Sequence, residues 1–378
     1  MSRSAAVVIV GDSIAGVTAA RELRTLGHGG RITLIGADPH GAYSRPPLSK
    51  TVLKDDSADT TLSYHLDGLD VEEVRSAAVG ANLDHKRITT AGGHIVGYDA
   101  LIIATGAEAR RLARPDQDGE LVLRTLEDAR ALRTRLDTAT SAIIIGAGFL
   151  GMEVASACAA RDIPVTVVDV DRPLERVLGP YLSELIAERA QRNGVRLIRT
   201  PGFVSLSGNP VRGIALPDGT ELPADLVVSC VGETPNTAWL HGTGLADHIG
   251  IGIDHARATA FPDVYAAGDV SYPRNTDRRS AFWSNAVAQG RVAAASALGH
   301  TQTSAPSDDY FWTEILGMSI KVVGSLPLIG TPSHIDGDPT AGSALLTWNR
   351  AGEGAALVAY GIRKPVTKLR MMAASLVP

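Results

Sequence analysis

The chain has 378 residues, of which 44% are hydrophobic and 20% charged, and its formal net charge is −5. That length supports two or three domains with full-sized cores, and the acidic balance speaks against nucleic-acid binding, which goes with a basic excess. No apolar run reaches the roughly 18 residues that span a bilayer and no signal-peptide pattern opens the chain, so a cytoplasmic protein without nucleic-acid or membrane partners is expected.

Residues 5–10 (Ala-Ala-Val-Val-Ile-Val) form an apolar, partly β-branched run suited to a buried parallel strand. Gly11-Asp12-Ser13-Ile14-Ala15-Gly16 follows as a turn. Residues 17–26 repeat apolar side chains at helical spacing, the stretch from Gly27 to Gly30 ends that helix, and residues 31–35 lead as a second strand towards Asp38.

The order returns at residues 141–169: strand, Gly146-Ala147-Gly148-Phe149-Leu150-Gly151, helix over 152–160, strand over 165–168, then Asp169. A single glycine motif of this kind is weak, but two copies in strand–turn–helix context, each followed by an acid, point to two dinucleotide sites. The first glycine allows the tight turn, the second lets backbone approach a pyrophosphate, and the third lets helix and strand pack closely. The helix N-terminus then offers N–H groups to phosphate, and the carboxylates suit ribose hydroxyls. Ser13 replaces the second glycine of the first copy; it is small and carries a hydroxyl. Asp169 would repel a 2′-phosphate and favours NADH, with Arg172 the cation three residues on.

Cys158 and Cys230 are far apart, in apolar flanks and outside any C-x-x-C pattern. They read as small buried hydrophobes; a redox dithiol, a four-thiolate cluster or another metal site is not expected.

The motif order resembles the FAD-dependent pyridine nucleotide-disulfide oxidoreductases, and among them the NADH-dependent ferredoxin reductases of oxygenase and cytochrome P450 systems. The segment Tyr43-Ser44-Arg45-Pro46-Pro47-Leu48-Ser49-Lys50 carries the likeness furthest, followed by Ala104-Thr105-Gly106, Gly268-Asp269 and Phe311-Trp312-Thr313-Glu314. The resemblance implies an α/β, glutathione reductase-like architecture: two Rossmann-like domains for FAD and NAD, and a C-terminal α+β domain. The implied segments are 1–112 and 233–304 for FAD, 113–232 for NAD, and 305–378 at the C-terminus.

The same resemblance assigns candidate residues. For FAD they are Gly11, Ser13, Ala15, Gly16, Asp38, Arg45, Pro46, Lys50, Val79, Ala104, Thr105, Gly106, Arg110, Gly268, Asp269 and Trp283. For NAD they are Gly146, Gly148, Phe149, Leu150, Gly151, Glu153, Asp169 and Gly232. It implies a Lys50–Glu153 ion pair at the flavin edge and Trp312 on the route to the electron acceptor. Departures also stand out: Ala281 and Ile315 occupy positions where the family has Glu and Gln, and the loop from Asp169 to Arg172 is one residue short.

The implied function is electron transfer from NADH through FAD to a separate [2Fe–2S] ferredoxin that feeds an oxygenase or cytochrome P450, by a monomer or homodimer. Arg274, Arg278, Arg279, Lys364, Lys368 and Arg370 are the cations that could steer such a partner. The alternatives are an NADH oxidase, a small-molecule or quinone reductase, and an NADH-sensing flavoprotein.

Overall fold

The computed structural model describes residues 5–54, 64–300, 310–350 and 354–376. Its α-helices are α1 (Ile14–Thr25), α2 (Leu126–Leu136), α3 (Phe149–Ala159), α4 (Glu175–Arg192, interrupted at Gly179), α5 (Trp283–Ala297) and α6 (Val366–Ala374). Internal contacts divide the chain into two units. The first comprises Met1–Ser44, Thr60–Glu108 and Thr234–Asp308; the second comprises Arg45–Asp59, Ala109–Glu233 and Asp309–Pro378. The boundary expected at 304/305 lies outside the described residues.

In the first unit, five parallel strands run in the order Val264–Ala266, Ala100–Ile103, Val7–Val10, Ile32–Gly36, Val71–Arg75. Strand alternation sends Val7 and Ile9 to one face, where they pack with Ala19, Leu23 and Ala293 of α1 and α5. Val8 and Val10 go to the other, against Ile35, Leu101 and Val270. A strand covered on both faces has to be apolar throughout, which accounts for the unbroken run at residues 5–10. The helix begins at Ile14, earlier than its apolar spacing suggested, because the end of the glycine turn already winds as the first helical turn.

The second unit holds a parallel sheet in the order Val195–Arg199, Val165–Asp169, Ala142–Ile145, Leu226–Ser229. Thr125 and Asp128 close a reciprocal capping box at the start of α2: Asp128 N–H donates to Thr125 Oγ1 at 3.1 Å and Thr125 N–H to Asp128 Oδ2 at 2.8 Å. Its last segment forms a five-stranded antiparallel sheet in the order Phe311–Ile315, Met318–Gly324, Gly354–Tyr360, Ser343–Arg350, His334–Asp338. The basic stretch from Arg363 to Arg370 runs into a helix. This is α6, whose Leu369 and Ala373, four residues apart, bury against Val323, Leu345 and Leu357 while Lys368 and Arg370 remain exposed.

The α/β class with two parallel-sheet nucleotide folds and a C-terminal α+β segment is thus the observed one. No helix among the described residues is long and apolar enough to cross a membrane.

Candidate functional site

Both glycine turns are built on backbone contact. A Cβ on Gly11, where φ is +115°, would stand 2.1 Å from Ala104 O, and one on Gly16 would stand 1.9 Å from Gly11 O. The second turn repeats this: a Cβ on Gly146 would meet Cys230 O at 2.2 Å, and one on Gly151 would meet Gly146 O at 1.9 Å. Gly148 differs, because a Cβ there would meet nothing within 4 Å. Its missing side chain leaves open room beside the N-terminus of α3, where Gly148 is the N-cap and no side chain caps the helix. Ser13 holds the equivalent place on α1 and its hydroxyl caps none of the first-turn amides. Each turn therefore presents helical N–H groups beside a cradle that larger residues would close, which fits a dinucleotide pyrophosphate.

The two acids are held differently. Asp38 accepts from His40 N–H at 3.0 Å and from the Tyr43 hydroxyl at 2.8 Å. Asp169 accepts from Ala147 N–H at 2.6 Å, which ties it to the turn itself, and from Val170 and Asp171 N–H. Arg172 is directed elsewhere, pairing with Glu184 at 2.5 Å. Arg176 is the cation that comes within 4.0 Å of Asp169, and it also pairs with Asp171.

Lys50 and Glu153, which are 103 residues apart, meet. Lys50 Nζ lies 2.9 Å from each Glu153 carboxylate oxygen, and the two side chains are 13% and 5% exposed. The short 3₁₀ turn Pro46–Ser49 brings Lys50 against α3. Two hydroxyls complete the carboxylate's shell: Ser49 Oγ donates to Oε2, and Thr313 Oγ1 donates to Oε1 at 2.6 Å. Sequence reasoning passed over Ser49 and Thr313; the only signal was a hydroxyl inside each quoted motif. Trp312 lies beside the pair, its ring centroid 5.9 Å from Lys50 Nζ and 5.8 Å from the stacked ring of Tyr310.

The other candidates fall in several places. Thr105 Oγ1 donates to Asn236 O, and Asn236 returns bonds to Thr105 O and Gly106 O, so the A-T-G segment is held by a residue the sequence did not single out. Arg110 N–H donates to Gly232 O, bringing those two candidates together. Arg45 donates to Arg124 O, and Pro46 begins the 3₁₀ turn. Ala15 on α1 packs so near α5 that a Cβ on Gly290 would stand 2.5 Å from its carbonyl oxygen. Gly268 N–H donates to Gln289, and Arg279 donates to Asp269 O. Val79 is half exposed on the strand Ala78–Asn82, and Trp283 opens α5 with its indole N–H on Tyr64. Phe149 touches Phe311 with ring centroids 4.6 Å apart, and Leu150 is half-buried on the first turn of α3.

Cys158 is buried and Cys230 half-buried, both as free thiols. Burial pushes each up to about 12, with Cys158 and Glu153 adding to the effect at Cys230. Ile315 is wholly buried, and the alternation Phe311, Thr313, Ile315 points these residues inward while Trp312 and Glu314 point outward. An apolar residue at 315 therefore suits its place in the core. On the outward side is a cleft of about 1100 Å³ whose walls include Lys54, Arg189, Lys321, Arg363 and Lys364. None of these five cations has a carboxylate within ion-pair distance among the described residues.

The profile of the pyridine nucleotide-disulphide oxidoreductases matches residues 5–290. The chain is 35% identical over 330 residues to the ferredoxin–NAD(+) reductase component of the biphenyl dioxygenase system of Paraburkholderia xenovorans, covering 84% of this chain and 80% of that protein. It is 32% identical to a rubredoxin–NAD(+) reductase of Pseudomonas putida, covering 85% and 87%. Among solved structures, a ferredoxin reductase from Rhodopseudomonas palustris superposes with a TM-score of 0.87 at 29% identity, covering 95% and 91%. The reductase of a covalent putidaredoxin reductase–putidaredoxin complex gives 0.85 at 28%, covering 98% and 93%. With the two glycine turns, their acids and the Lys50–Glu153 pair in place, these likenesses make the chain a member of the pyridine nucleotide-disulphide oxidoreductase family.

Proposed function

We propose that this protein is an NADH-dependent, FAD-containing reductase that passes electrons to a separate [2Fe–2S] ferredoxin serving an oxygenase or cytochrome P450. The observation that carries the reading is the buried ion pair between Lys50 and Glu153 of α3, the second nucleotide helix. The relatives are named as reductases of ferredoxins and rubredoxins, which supports an external iron–sulfur or iron carrier as acceptor. We assign FAD to Gly11–Gly16 with Asp38 and NAD to Gly146–Gly151 with Asp169, and keep the segment limits 1–112, 113–232, 233–304 and 305–378. A cytoplasmic location belongs to the same proposal.

Gly11–Gly16 and Asp38 would hold the FAD, which would supply hydride acceptance from NADH and one-at-a-time release of the two electrons. The chain's own residues do the rest. Gly148 lets the backbone of α3 approach the pyrophosphate of NADH, and Asp169 takes its ribose hydroxyls. Lys50 and Glu153 form a largely buried, hydrogen-bonded pair that orients the nicotinamide end, and Gly232 keeps the backbone beside it open. Trp312, next to Lys50, lines the way out towards the carrier.

The test is rapid reduction of the FAD-loaded protein by NADH, followed by cytochrome c reduction with and without added ferredoxins. Fast flavin bleaching and ferredoxin-dependent cytochrome c reduction are expected. A protein that takes up no FAD overturns the reading. Steady turnover with oxygen or a quinone and no carrier would favour an oxidase or quinone reductase instead. A second carrier class has direct support, because two relatives are rubredoxin reductases; adding rubredoxin to the same assay separates the two.

A further inference from the structure

Glu153 has more partners than an ion pair requires. A carboxylate offers about four acceptor positions. Here they are met by Lys50 Nζ on both oxygens, Ser49 Oγ on Oε2 and Thr313 Oγ1 on Oε1. Lysine alone would leave the terminal torsion of Glu153 loose, since that torsion is broad. One hydroxyl on each oxygen pins it. Ser49 adjoins Lys50 and moves with it. Thr313 lies 160 residues from Glu153, and it is the donor among the described residues that comes from a different segment from Lys50.

Thr313 is well suited to fixing a neighbour. It is fully buried and β-branched on a strand, so its χ1 is stiff. Its hydroxyl has Glu153 as its hydrogen-bond partner, and leaving such a group unpaired in the interior is costly. The bond is one of three rungs along the same edge of α3. Phe149 meets Phe311, Glu153 meets Thr313, and Ser156 Oγ accepts from Leu316 N–H at 2.9 Å. Between the first two rungs Trp312 projects to the opposite side of the strand. The residue that binds the carboxylate of the nucleotide helix and the aromatic facing the cleft are therefore chain neighbours, Thr313 and Trp312.

We propose that Thr313 is a positioning residue: its buried hydroxyl fixes the Glu153 carboxylate for the nicotinamide nucleotide and holds the strand that carries Trp312 to α3. This rests on the assignment of the nucleotide to Glu153 in the proposed function. Ser49 does the same on the other oxygen, from the Lys50 side. Ligand binding to a carboxylate already fixed costs less ordering than binding to a loose one.

The test uses FAD-loaded protein and the isosteric substitution Thr313→Val. Titration with NAD+ is expected to give a Kd about tenfold weaker, from loss of a hydrogen bond to a charged group. Hydrogen exchange of the peptide covering 311–316 is expected to rise. Thr313→Ser restores both. In a Glu153→Ala background, Thr313→Val should change the NAD+ Kd no further, because the two act as one unit. Equal weakening with and without Glu153, failure of serine to rescue, or an unchanged Kd in Thr313→Val overturns the proposal. If Thr313→Val does not fold, Ser49→Ala is put through the same cycle and judged by the same outcomes. Should Glu153→Ala leave reduction by NADH untouched, the proposed function loses its nucleotide assignment as well. A large effect of Glu153→Ala with none from Thr313→Val sinks this inference alone.

Discussion

Cys158 lies on α3, and the carbonyl of Cys230 stands 2.2 Å from where a Cβ on Gly146 would be. Only a thiolate attacks an alkylating reagent. With both thiols pushed up to about 12 by burial, roughly one in ten thousand is ionised at pH 8. Native protein treated with iodoacetamide at pH 8 should carry no adducts by mass spectrometry, and urea-unfolded protein should carry two. The linked effect on stability has a defined sign. A folded-state value raised above the ordinary 9.0 contributes stability that is full below about pH 9 and is lost as pH rises towards about 12. At this scale the sequence was uneven in what it disclosed. Lys50 and Glu153 were visible because both lie inside or beside motifs. Ser49 and Thr313 were not, because a hydroxyl in a strand or turn has many uses and only the fold across 104 and 160 residues selects Glu153.

The glycine turns allow two roles to be separated by experiment. Gly151→Ala places a Cβ 1.9 Å from Gly146 O, so the turn has to open, at about 1–3 kcal/mol of stability. Gly148→Ala meets nothing within 4 Å and should leave the thermal melt within about 0.5 kcal/mol of wild type. Its new methyl nevertheless enters the room assigned to pyrophosphate, so NAD+ titration should show clear weakening; unchanged affinity would remove the phosphate role from this turn. The contrast also shows why helix starts were misjudged from apolar spacing. In α1 and α3 the last residues of the motif already belong to the helix, where a glycine is retained for the close approach it permits and adds nothing to the hydrophobic pattern. In α6 the basic side chains hid a two-residue apolar stripe, Leu369 and Ala373, that becomes visible only against the sheet it covers.

Across the whole molecule, each unit is assembled from three separate stretches of chain, and the stretch Arg45–Asp59, which includes Lys50, makes its contacts with the second unit. Motif order gave the fold class; it could not say which stretches pack together, since that depends on pairings such as Arg133 with Val52 O and Arg161 with Leu53 O. Charge is also unevenly distributed. The chain carries a net −5, yet Lys54, Arg189, Lys321, Arg363 and Lys364, which have no carboxylate partner among the described residues, line one cleft together with Glu153 and Glu314. On the proposed function, such a cluster of cations would attract an acidic carrier, and the attraction would be screened by salt. Raising ionic strength from 0.05 to about 0.5 M should therefore slow carrier-dependent cytochrome c reduction severalfold. Single-turnover flavin reduction at saturating NADH should change little. The rungs between α3 and the strand Phe311–Ile315 bear on how such reductases exchange parts. Transplanting the C-terminal sheet from a relative, to redirect this protein to another carrier, would bring new residues opposite Phe149, Glu153 and Ser156. On the proposed function, a working chimera would have to transfer that edge of the nucleotide helix together with the sheet, which would couple carrier choice to nucleotide handling.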